Sequence, residues 1–475
     1  MFGLVLLALC MRRGKAQIFR FDAMPVPPAY TMTTHYLFYV GIEDIWPARV
    51  EYRGLASHKT GSVDPPKNYQ RVEVALLPYE DFPRLVDTDR FCATTEDVMR
   101  KKAKVHGQML LANSSDKDRS VVVEHVPIIN SGDATPPTLV HTLTKAGRYI
   151  LVFTNCGNFS QATVTGSIAV KSAHGFLPAN EFPNMRLYGW LLGVYVLVVV
   201  VWLASLAWYA NVLSFVQEGL ATVAVVCLAE VATTWAHYMV RNDTGNEISY
   251  LHVLVHLCYT IKHVLAWRLL LLASTGGPVL YQDLSLKSSV VFSLASTLFM
   301  VQGSLWKLLA SQRYCLALRS SFLLLAGLPG MLLFAAMSAW TLRAVGSHLR
   351  KVEEQRQNVL VGAFRRARTV LIAAALLSVL VSAVQVADLL KDPLLAWEHQ
   401  WVPLDGAPQI TFTMVLAAMM YVWRPSEENW TSGYMVQVNL EPDGPDCLEG
   451  GAQVRSKKGN VVTPIPIGAA EDDEL

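Results

Sequence analysis

The sequence predicts a membrane α-helical bundle of seven transmembrane helices, preceded by a luminal all-β sandwich domain. Two observations predict this fold class. Only 16% of the 475 residues are charged and 52% are hydrophobic, whereas ordinary soluble domains carry about 25% charged residues. The apolar residues are concentrated in long runs between Leu187 and Trp423, while the chain before them has the composition of a soluble domain.

A short apolar run opens the chain. Phe2–Met11 is too short to span a bilayer and is typical of a signal-peptide core. Gly14 and Ala16 place small residues at the −3 and −1 positions of a cleavage site, so residues 1–16 are predicted to be a signal peptide. Because no positive charge precedes the run and two arginines follow it, an ordinary buried N-terminal segment stays as the alternative.

Residues 17–175 are predicted to form the luminal β domain. Short β-rich runs alternate with turn-rich stretches, which is the pattern of an antiparallel sandwich. The runs are Tyr36–Gly41, Arg71–Leu77, Gln108–Ala112, Ser120–Ile129, Arg148–Thr154 and Gln161–Val170. Cys92 and Cys156 are the only cysteines between the signal segment and the first helix. In an oxidising compartment they are predicted to form a disulfide, with two free buried thiols as the alternative.

Seven segments within residues 187–423 approach the roughly 20 apolar residues that a helix needs to cross the hydrocarbon core. They are Leu187–Ala210, Leu213–Val240, Tyr250–Ala273, Leu286–Leu308, Leu316–Leu342, Thr369–Leu390 and Pro403–Trp423. The seventh begins with Asp405, Gly406 and Pro408, so its start is the least well defined.

Charge predicts the orientation of these helices. The loop Arg343–Arg368 between segments five and six is strongly basic, and the positive-inside rule places it in the cytosol. Counting back from it, the β domain is luminal and the C-terminus is cytosolic. The sequons at Asn113, Asn158 and Asn242 then face the lumen and are predicted N-glycosylation sites. The sequon at Asn429 is cytosolic and should be unused.

Two charged residues lie within the predicted membrane segments. An intramembrane charge costs about 2.5–3.5 kcal/mol on insertion scales, so each marks a candidate site. Glu230 in helix two and Lys262 in helix three each lie about 15–18 Å below the luminal surface at 1.5 Å per residue. A short luminal loop joins these helices, so the two side chains are predicted to pair, which relieves the burial cost of both.

The luminal half of the predicted bundle carries further polar side chains. Those on helix three recur at helical spacing on one face. The set is predicted to line a water-accessible cavity or ion path, and the alternative is a network of interhelical hydrogen bonds. Its members are Glu230, His237, His252, His256, Tyr259, Lys262, Gln385 and Asp388.

The sequence does not predict an enzyme. Two histidines four residues apart can share a metal, but a catalytic zinc needs a third ligand and usually a carboxylate, and helix seven has no histidine. The chain has no nucleophile elbow, Gly-rich phosphate loop or Cys-x-x-Cys motif. No catalytic residue, metal or cofactor is therefore expected. The net charge of +2 gives no reason to expect a nucleic-acid partner.

Several motifs resemble those of a known family. Gly147–Cys156 resembles the closing strand of a GOLD domain, and Gly175–Ala179 leads to Glu181, Pro183 and Tyr188-Gly189 at the first helix. This junction resembles that of the GOLD-domain seven-transmembrane-helix proteins, also called the lung seven-transmembrane or intimal-thickness-related receptor group. The other matching features are Ile261-Lys262, Trp397, Trp401 and Trp423-Arg424-Pro425-Ser426.

The resemblance implies a Golgi or endosomal membrane protein that acts in trafficking and binds luminal cargo or a ligand. It also implies a receptor-like bundle whose lumen-facing cavity holds a bound phospholipid. A cation channel or transporter, or a receptor-like signalling protein, is the alternative function. Helix three lacks an acidic-Arg-Tyr motif and helix seven lacks Asn-Pro-x-x-Tyr, which argues against conventional G-protein coupling.

Residues 424–475 are polar and rich in Pro and Gly, and are predicted to be a disordered cytosolic tail that binds cytosolic trafficking factors. The basic loop before helix six is predicted either to contact anionic lipid or to act only as a topology determinant.

Overall fold

The computed structural model describes the β domain, the helical bundle and a short part of the tail. The described ranges are residues 18–28, 31–41, 47–59, 72–87, 90–111, 121–127, 136–156, 162–210, 213–246, 248–274, 286–311, 320–354, 358–390, 397–425, 454–457 and 461–464. The predicted signal peptide and the sequons at Asn113, Asn158 and Asn429 lie outside these ranges.

The N-terminal domain is an antiparallel β-sandwich, as predicted. Its strands are β1 (Ile18–Pro25), β2 (Thr31–Val40), β3 (Ala48–Lys59), β4 (Val72–Pro78), β5 (Val122–Val126), β6 (Leu139–Leu143), β7 (Gly147–Asn155) and β8 (Ala162–Lys171). One sheet has the order β1-β8-β3-β6 and the other the order β2-β7-β4-β5. Alternate residues of both sheets, such as Val50, Tyr52, Leu76 and Phe153, form the core between them.

Three strands were missing from the sequence prediction, namely β1, β3 and β6. In β3 the apolar positions alternate with charged ones, and the strand is buried because β8 and β6 pair with its two edges. The predicted strand Gln108–Ala112 is wrong. Within it, Met109 makes only an isolated bridge to Cys92.

A second apolar cluster covers the outer face of the sheet that contains β4 and β7. Ala75, Leu77 and Val152 of the sheet pack there against Phe91 and Met109. The covering segment includes two short helices, α1 (Phe82–Leu85) and α2 (Thr95–Met99). The Cys92–Cys156 disulfide ties this segment to the end of β7, which confirms the predicted pairing.

Within the described residues, seven helices of 16 or more residues follow the β domain. They are α3 (Phe182–Trp208), α4 (Phe215–Thr244), α5 (Ser249–Ser274), α6 (Leu286–Ser311), α7 (Ser320–Glu354), α8 (Asn358–Leu390) and α9 (Ala407–Val422). Five of the described helices are long and apolar enough to cross a membrane, judged by length and composition alone. They are α3, α4, α5, α7 and α8. The helix α9 has 16 residues, and a π-helical turn, Val402–Gly406, extends it toward the β domain.

The described part of the tail beyond Pro425 is a small hairpin. Strand β9 (Val454–Lys457) pairs antiparallel with β10 (Val461–Pro464). The prediction of disorder for the rest of residues 424–475 falls outside the described ranges.

Candidate functional site

Glu230, Lys262 and Gln409 form a closed polar cluster inside the bundle. Lys262 Nζ donates to Glu230 Oε2 at 3.1 Å and to Gln409 Oε1 at 2.9 Å, and Gln409 Nε2 donates to Glu230 Oε2 at 3.2 Å. The exposed fractions of the three residues are 1%, 0% and 4% respectively. Each member therefore has two partners within the cluster, as buried polar groups require.

Three helices position this cluster. The antiparallel neighbours α4 and α5 carry Glu230 and Lys262, as the sequence predicted, and the first turn of α9 carries Gln409. Cross-helix hydrogen bonds of this kind hold transmembrane helices together where no hydrophobic driving force acts between them.

Aromatic rings complete the surroundings of the lysine. The Lys262 ammonium lies 5.1 Å from the ring centroid of Tyr259 and 4.8 Å from that of Phe412. Both rings are within the range in which a cation is attracted to an aromatic face, and the attraction is stronger for a desolvated cation. The ammonium is thus stabilised by a carboxylate, an amide and two π faces.

Gln409 is the member of the cluster that the sequence prediction missed. The available signal was an isolated amide in the apolar run that follows Pro408. Such a residue in a membrane helix is expected to face a polar partner. Because Gln409 lies on the last helix, only the tertiary arrangement reveals that its partners are on α4 and α5.

The predicted histidines form a separate group, nearer the β domain. His256 Nε2 lies 3.1 Å from His252 Nε2, and the ring centroids of His252 and His237 are 5.4 Å apart. His237 is buried, whereas His252, His256 and Tyr259 are half-buried. The structure therefore divides the predicted cavity lining into a fully buried ionic cluster and a partly accessible histidine group.

Gln385 does not join either group. Its Nε2 donates to the carbonyl of Pro403 at 2.6 Å, which ties α8 to the π-helical turn before α9. This bond fits the alternative of interhelical hydrogen bonding. The side chain of Asp388 lies outside the described residues.

The β domain docks on the end of α4 through Asn242. Its Nδ2 donates to the carbonyl of His174 at 2.8 Å, and its Oδ1 accepts from the backbone N–H of Leu177 at 3.3 Å. The backbone N–H of Phe176 donates to the Asn242 carbonyl at 2.9 Å. Asn242 thus holds the linker between β8 and α3 with both its side chain and its backbone.

This geometry makes a glycan on Asn242 unfavourable, and the acceptor assignment stays a prediction. A glycan is attached at the side-chain amide nitrogen, which here donates to a backbone carbonyl at the end of a helix. A sugar there would replace one of the two amide hydrogens and would have to fit beside the docked linker. Asn242 is therefore expected to serve as a structural residue and to stay unmodified in the folded protein.

Gly175 is required at the same junction. Its φ is +135°, in a region that residues with a Cβ rarely adopt. A Cβ placed on it would also collide with the side-chain amide of Asn242. The motif Gly175–Ala179, which carries the family resemblance, is thus explained by close backbone contact with α4.

Two polar pairs continue from this junction toward the cluster. Arg241 Nη1 donates to Glu181 Oε2 at 2.7 Å and joins α4 to the start of α3. Asn184 Nδ2 donates to Asp405 Oδ2 at 3.2 Å and joins α3 to the π-helical turn. Polar contacts therefore link the β domain to the helices that hold the cluster.

The C-terminal end of α9 is fixed at the opposite side of the bundle from the β domain. Gln217 Nε2 donates to the carbonyl of Trp423 at 3.1 Å, while its Oε1 caps the backbone N–H of Ser214. The Trp423 ring packs edge-on against Phe364 at 5.6 Å. The first residue of the motif Trp423–Ser426 thus anchors α9 to α4 and α8.

In the part of the chain that the structure describes, no group of three or more His, Cys, Asp and Glu side chains is arranged to hold a metal ion. The arrangement around Lys262 instead suits the fixing of helix positions.

Comparison with known proteins identifies relatives of the bundle. A family model described as "GOST, seven transmembrane domain" matches residues 183–430, slightly more than half of the chain. Transmembrane protein 87A of Xenopus tropicalis is 26% identical over 271 residues, which is 55% of this chain and 48% of the relative. Human transmembrane protein 87B is 22% identical over 284 residues, covering 58% and 49%.

A yeast relative is similar over a comparable length. Membrane protein PTM1 of Saccharomyces cerevisiae is 21% identical over 307 residues, covering 60% of this chain and 56% of the relative. The chain therefore spans about half the length of the curated relatives that it matches.

Proposed function

Because this chain belongs to the GOST seven-transmembrane family, we propose that it acts in membrane trafficking between the Golgi and endosomes, binding cargo or lipid through its β domain and the polar region below it. The family assignment agrees with the resemblance predicted from the junction and the Trp423 motif. The chain is a multi-pass membrane protein, and its compartment, orientation and cargo are part of the proposal.

The observation that carries the proposal is the direct linkage between the β domain and the bundle. Asn242 fixes the linker, and the Glu181–Arg241 pair fixes the entry to α3. A ligand that shifts the β domain must therefore also shift α4, which carries Glu230 deeper in the bundle. Such a connection is what a receptor for luminal cargo needs to signal occupancy across a membrane.

The proposed orientation is supported by the basic segment Arg343–Arg368, which comprises the end of α7 and the start of α8. Its excess of arginine supports a cytosolic position for this end of the bundle and a luminal position for the β domain. A C-terminal epitope, probed after selective permeabilisation, together with a glycosidase shift, tests this. A cytosolic epitope on a glycosylated chain is expected, and a luminal epitope would overturn the orientation.

The trafficking role is tested by sorting assays in cells that lack the protein. Glycoproteins that recycle between Golgi and endosomes should be mislocalised, and wild-type protein should restore them. The variant Arg241→Gln, which breaks the link to Glu181, should restore sorting less well than Glu218→Gln, an exposed change on the same helix. Normal sorting in the deficient cells would overturn the proposal.

A cation channel or transporter is the second candidate. The observation that favours it is the fully buried Lys262, with half-buried histidines between it and the β domain. The variant Lys262→Gln should change currents through reconstituted bilayers if the cluster gates an ion path. Currents that are absent from the wild type, or unchanged in the variant, would remove this candidate. We assign neither catalysis nor a cofactor, and we propose that the tail binds cytosolic trafficking factors.

A further inference from the structure

An open groove lies between α8 and α9 at the basic end of the bundle. It has a volume of about 660 Å³, and its lining includes Arg365, Arg366, Val370, Ala418 and Tyr421. Among the described residues that line it, none is acidic. The groove is far from the Glu230 cluster along the membrane normal, since it lies at the start of α8 and the end of α9.

The groove has cationic side chains at its mouth, near the membrane surface, and apolar side chains further toward the hydrocarbon core. Helix α8 runs into the membrane from this end, so Arg365 and Arg366 lie at the mouth and Val370 lies deeper. Helix α9 runs the other way, so Ala418 is deeper than Tyr421. A cationic mouth above an apolar wall matches a phospholipid, whose phosphate lies at the surface and whose acyl chain lies in the hydrocarbon.

The cationic region extends to the other side of α8. A second depression, of about 530 Å³, lies between α7 and α8 and shares Arg365 and Thr369 with the first. Its lining adds Arg350 and Arg368 and one acidic residue, Glu353. The two depressions together therefore present four arginines and one carboxylate, an excess of three positive charges.

The existing partners of these arginines leave donors free for a ligand. Arg365 lies 3.2 Å from Glu353, but the side chains are 68% and 44% exposed, so solvent weakens this pair. Arg366 donates its Nε–H to the carbonyl of Gly362 at 3.2 Å, and this bond uses one of its five N–H donors. A guanidinium has five N–H donors and suits bidentate binding of phosphate.

From this arrangement we propose that the groove between α8 and α9 binds a phospholipid of the phosphoinositide class, with phosphate monoesters at Arg365 and Arg366 and an acyl chain along Val370 and Ala418. The groove itself presents Arg365 and Arg366, and a phosphate monoester carries about −1.5 to −2 charge at pH 7, so a phosphoinositide complements the two arginines more fully than a singly charged headgroup such as phosphatidylserine. The bilayer supplies the lipid laterally, because the groove lies at the membrane surface. This site does not depend on the proposed trafficking role, but it rests on the proposed orientation, which places the groove at the cytosolic leaflet where phosphoinositides lie.

Native mass spectrometry of the full chain in detergent tests the site by titration with defined lipids. Phosphatidylinositol bisphosphate should bind about tenfold more tightly than phosphatidylserine, since each added charge-assisted bond contributes on that scale. Equal binding of the two lipids would overturn the assignment to phosphoinositides.

Three variants separate a defined site from diffuse surface charge. Arg365→Gln with Arg366→Gln should weaken binding about tenfold or more. The matched control, Arg268→Gln with Arg343→Gln, removes two exposed arginines outside both depressions and should bind like wild type. Ala418→Trp fills the apolar wall without changing charge and should also weaken binding. Equal loss in the control pair, or full binding by Ala418→Trp, would overturn the groove as the site.

A competition measurement distinguishes lipid from soluble phosphate. Free inositol trisphosphate lacks acyl chains and should compete poorly with the bisphosphate lipid. Competition as strong as that of the lipid would show a soluble-anion site and overturn the proposal. The arginine variants change only exposed side chains, and unchanged thermal unfolding checks that they are folded.

Discussion

Lys262 Nζ and Glu230 Oε2 lie 3.1 Å apart, with 0% and 2% of their side chains exposed. The two residues are 32 positions apart in the chain and meet because α4 and α5 are antiparallel neighbours. Gln409 of α9 bonds to both of them. The position of α9 therefore depends on whether the Glu230–Lys262 ion pair is formed.

Removing one charge of this pair should destabilise the bundle strongly. The variant Lys262→Met leaves Glu230 buried without its cation, and breaking a buried pair in this way costs about 3–5 kcal/mol. Thermal unfolding of the detergent-purified protein measures the loss. The double variant Lys262→Met with Glu230→Gln should recover much of it, because no uncompensated charge is left.

The variant Gln409→Leu provides a graded comparison. It removes two hydrogen bonds but keeps the ion pair, so the expected loss is about 1–2 kcal/mol. If the double variant Lys262→Met with Glu230→Gln is no more stable than Lys262→Met alone, the unpaired charge of Glu230 is not the main cause of the lost stability.

The Cys92–Cys156 disulfide should stabilise the β domain. It links two residues that are 64 positions apart. In the entropic model, a cross-link that closes a loop of that length raises the free energy of the unfolded chain by about 4 kcal/mol. The paired variant Cys92→Ser with Cys156→Ser should therefore lower the free energy of unfolding of the β domain by roughly 2–4 kcal/mol. Denaturant unfolding with and without reductant measures this.

The free cysteine Cys258 supplies the control for that experiment. It lies on α5 and is not in a disulfide, so Cys258→Ser should leave the response to reductant unchanged. Stability of the wild-type β domain that is insensitive to reductant would show that the disulfide contributes nothing in solution.

Asn242 should carry no glycan. The structure commits its amide nitrogen to the carbonyl of His174, whereas the sequons at Asn113 and Asn158 remain predicted acceptors. Asn113→Gln and Asn158→Gln should each remove one glycosidase-sensitive mass step, and Asn242→Gln should remove none. A mass step lost in Asn242→Gln would contradict the docked junction.

Acidification should weaken the β domain through Asp97. Thr94 donates to Asp97 Oδ2 from its backbone N–H at 3.0 Å and from its hydroxyl at 2.7 Å, and Arg90 lies 3.1 Å from Oδ1. These hydrogen bonds, and then the Arg90 charge, hold the pKa of Asp97 below its ordinary value. A group with a lowered pKa stabilises the fold above its ordinary pKa, and this contribution is lost as the pH falls through the lowered value.

Thermal unfolding at a series of pH values tests this contribution. Stability should fall as the pH drops below about 4, the ordinary aspartate pKa, and Asp97→Asn should remove part of that fall. The exposed Asp22 on β1 provides the control, and Asp22→Asn should keep the wild-type slope. An Asp97→Asn protein with the full acid slope would show that this carboxylate is not responsible.

At neutral pH, Thr94→Ala should cost about 1 kcal/mol through loss of the helix cap.

The sequence by itself determined the class of this protein, the seven segments of the bundle, the Cys92–Cys156 pairing and the meeting of Glu230 with Lys262. The class and the helical segments depend on local composition, and the Glu230–Lys262 contact depends on neighbouring helices, where apolar length and helical rise fix the geometry. The disulfide was predictable because the β domain contains only these two cysteines. The missed strands β1, β3 and β6 show the limit of local pattern, because their burial is decided by strands elsewhere in the chain.

Only the tertiary structure decided which polar residues share an environment. It brought Gln409 of the last helix to the ion pair, tied Gln385 to the π-helical turn, and showed that Asn242 holds the linker below the β domain. The physical reason is that a buried polar group must find a partner wherever the packing places one. The partners of these residues lie between 18 and 179 positions away in the chain, and no short connecting loop links them as one links Glu230 and Lys262.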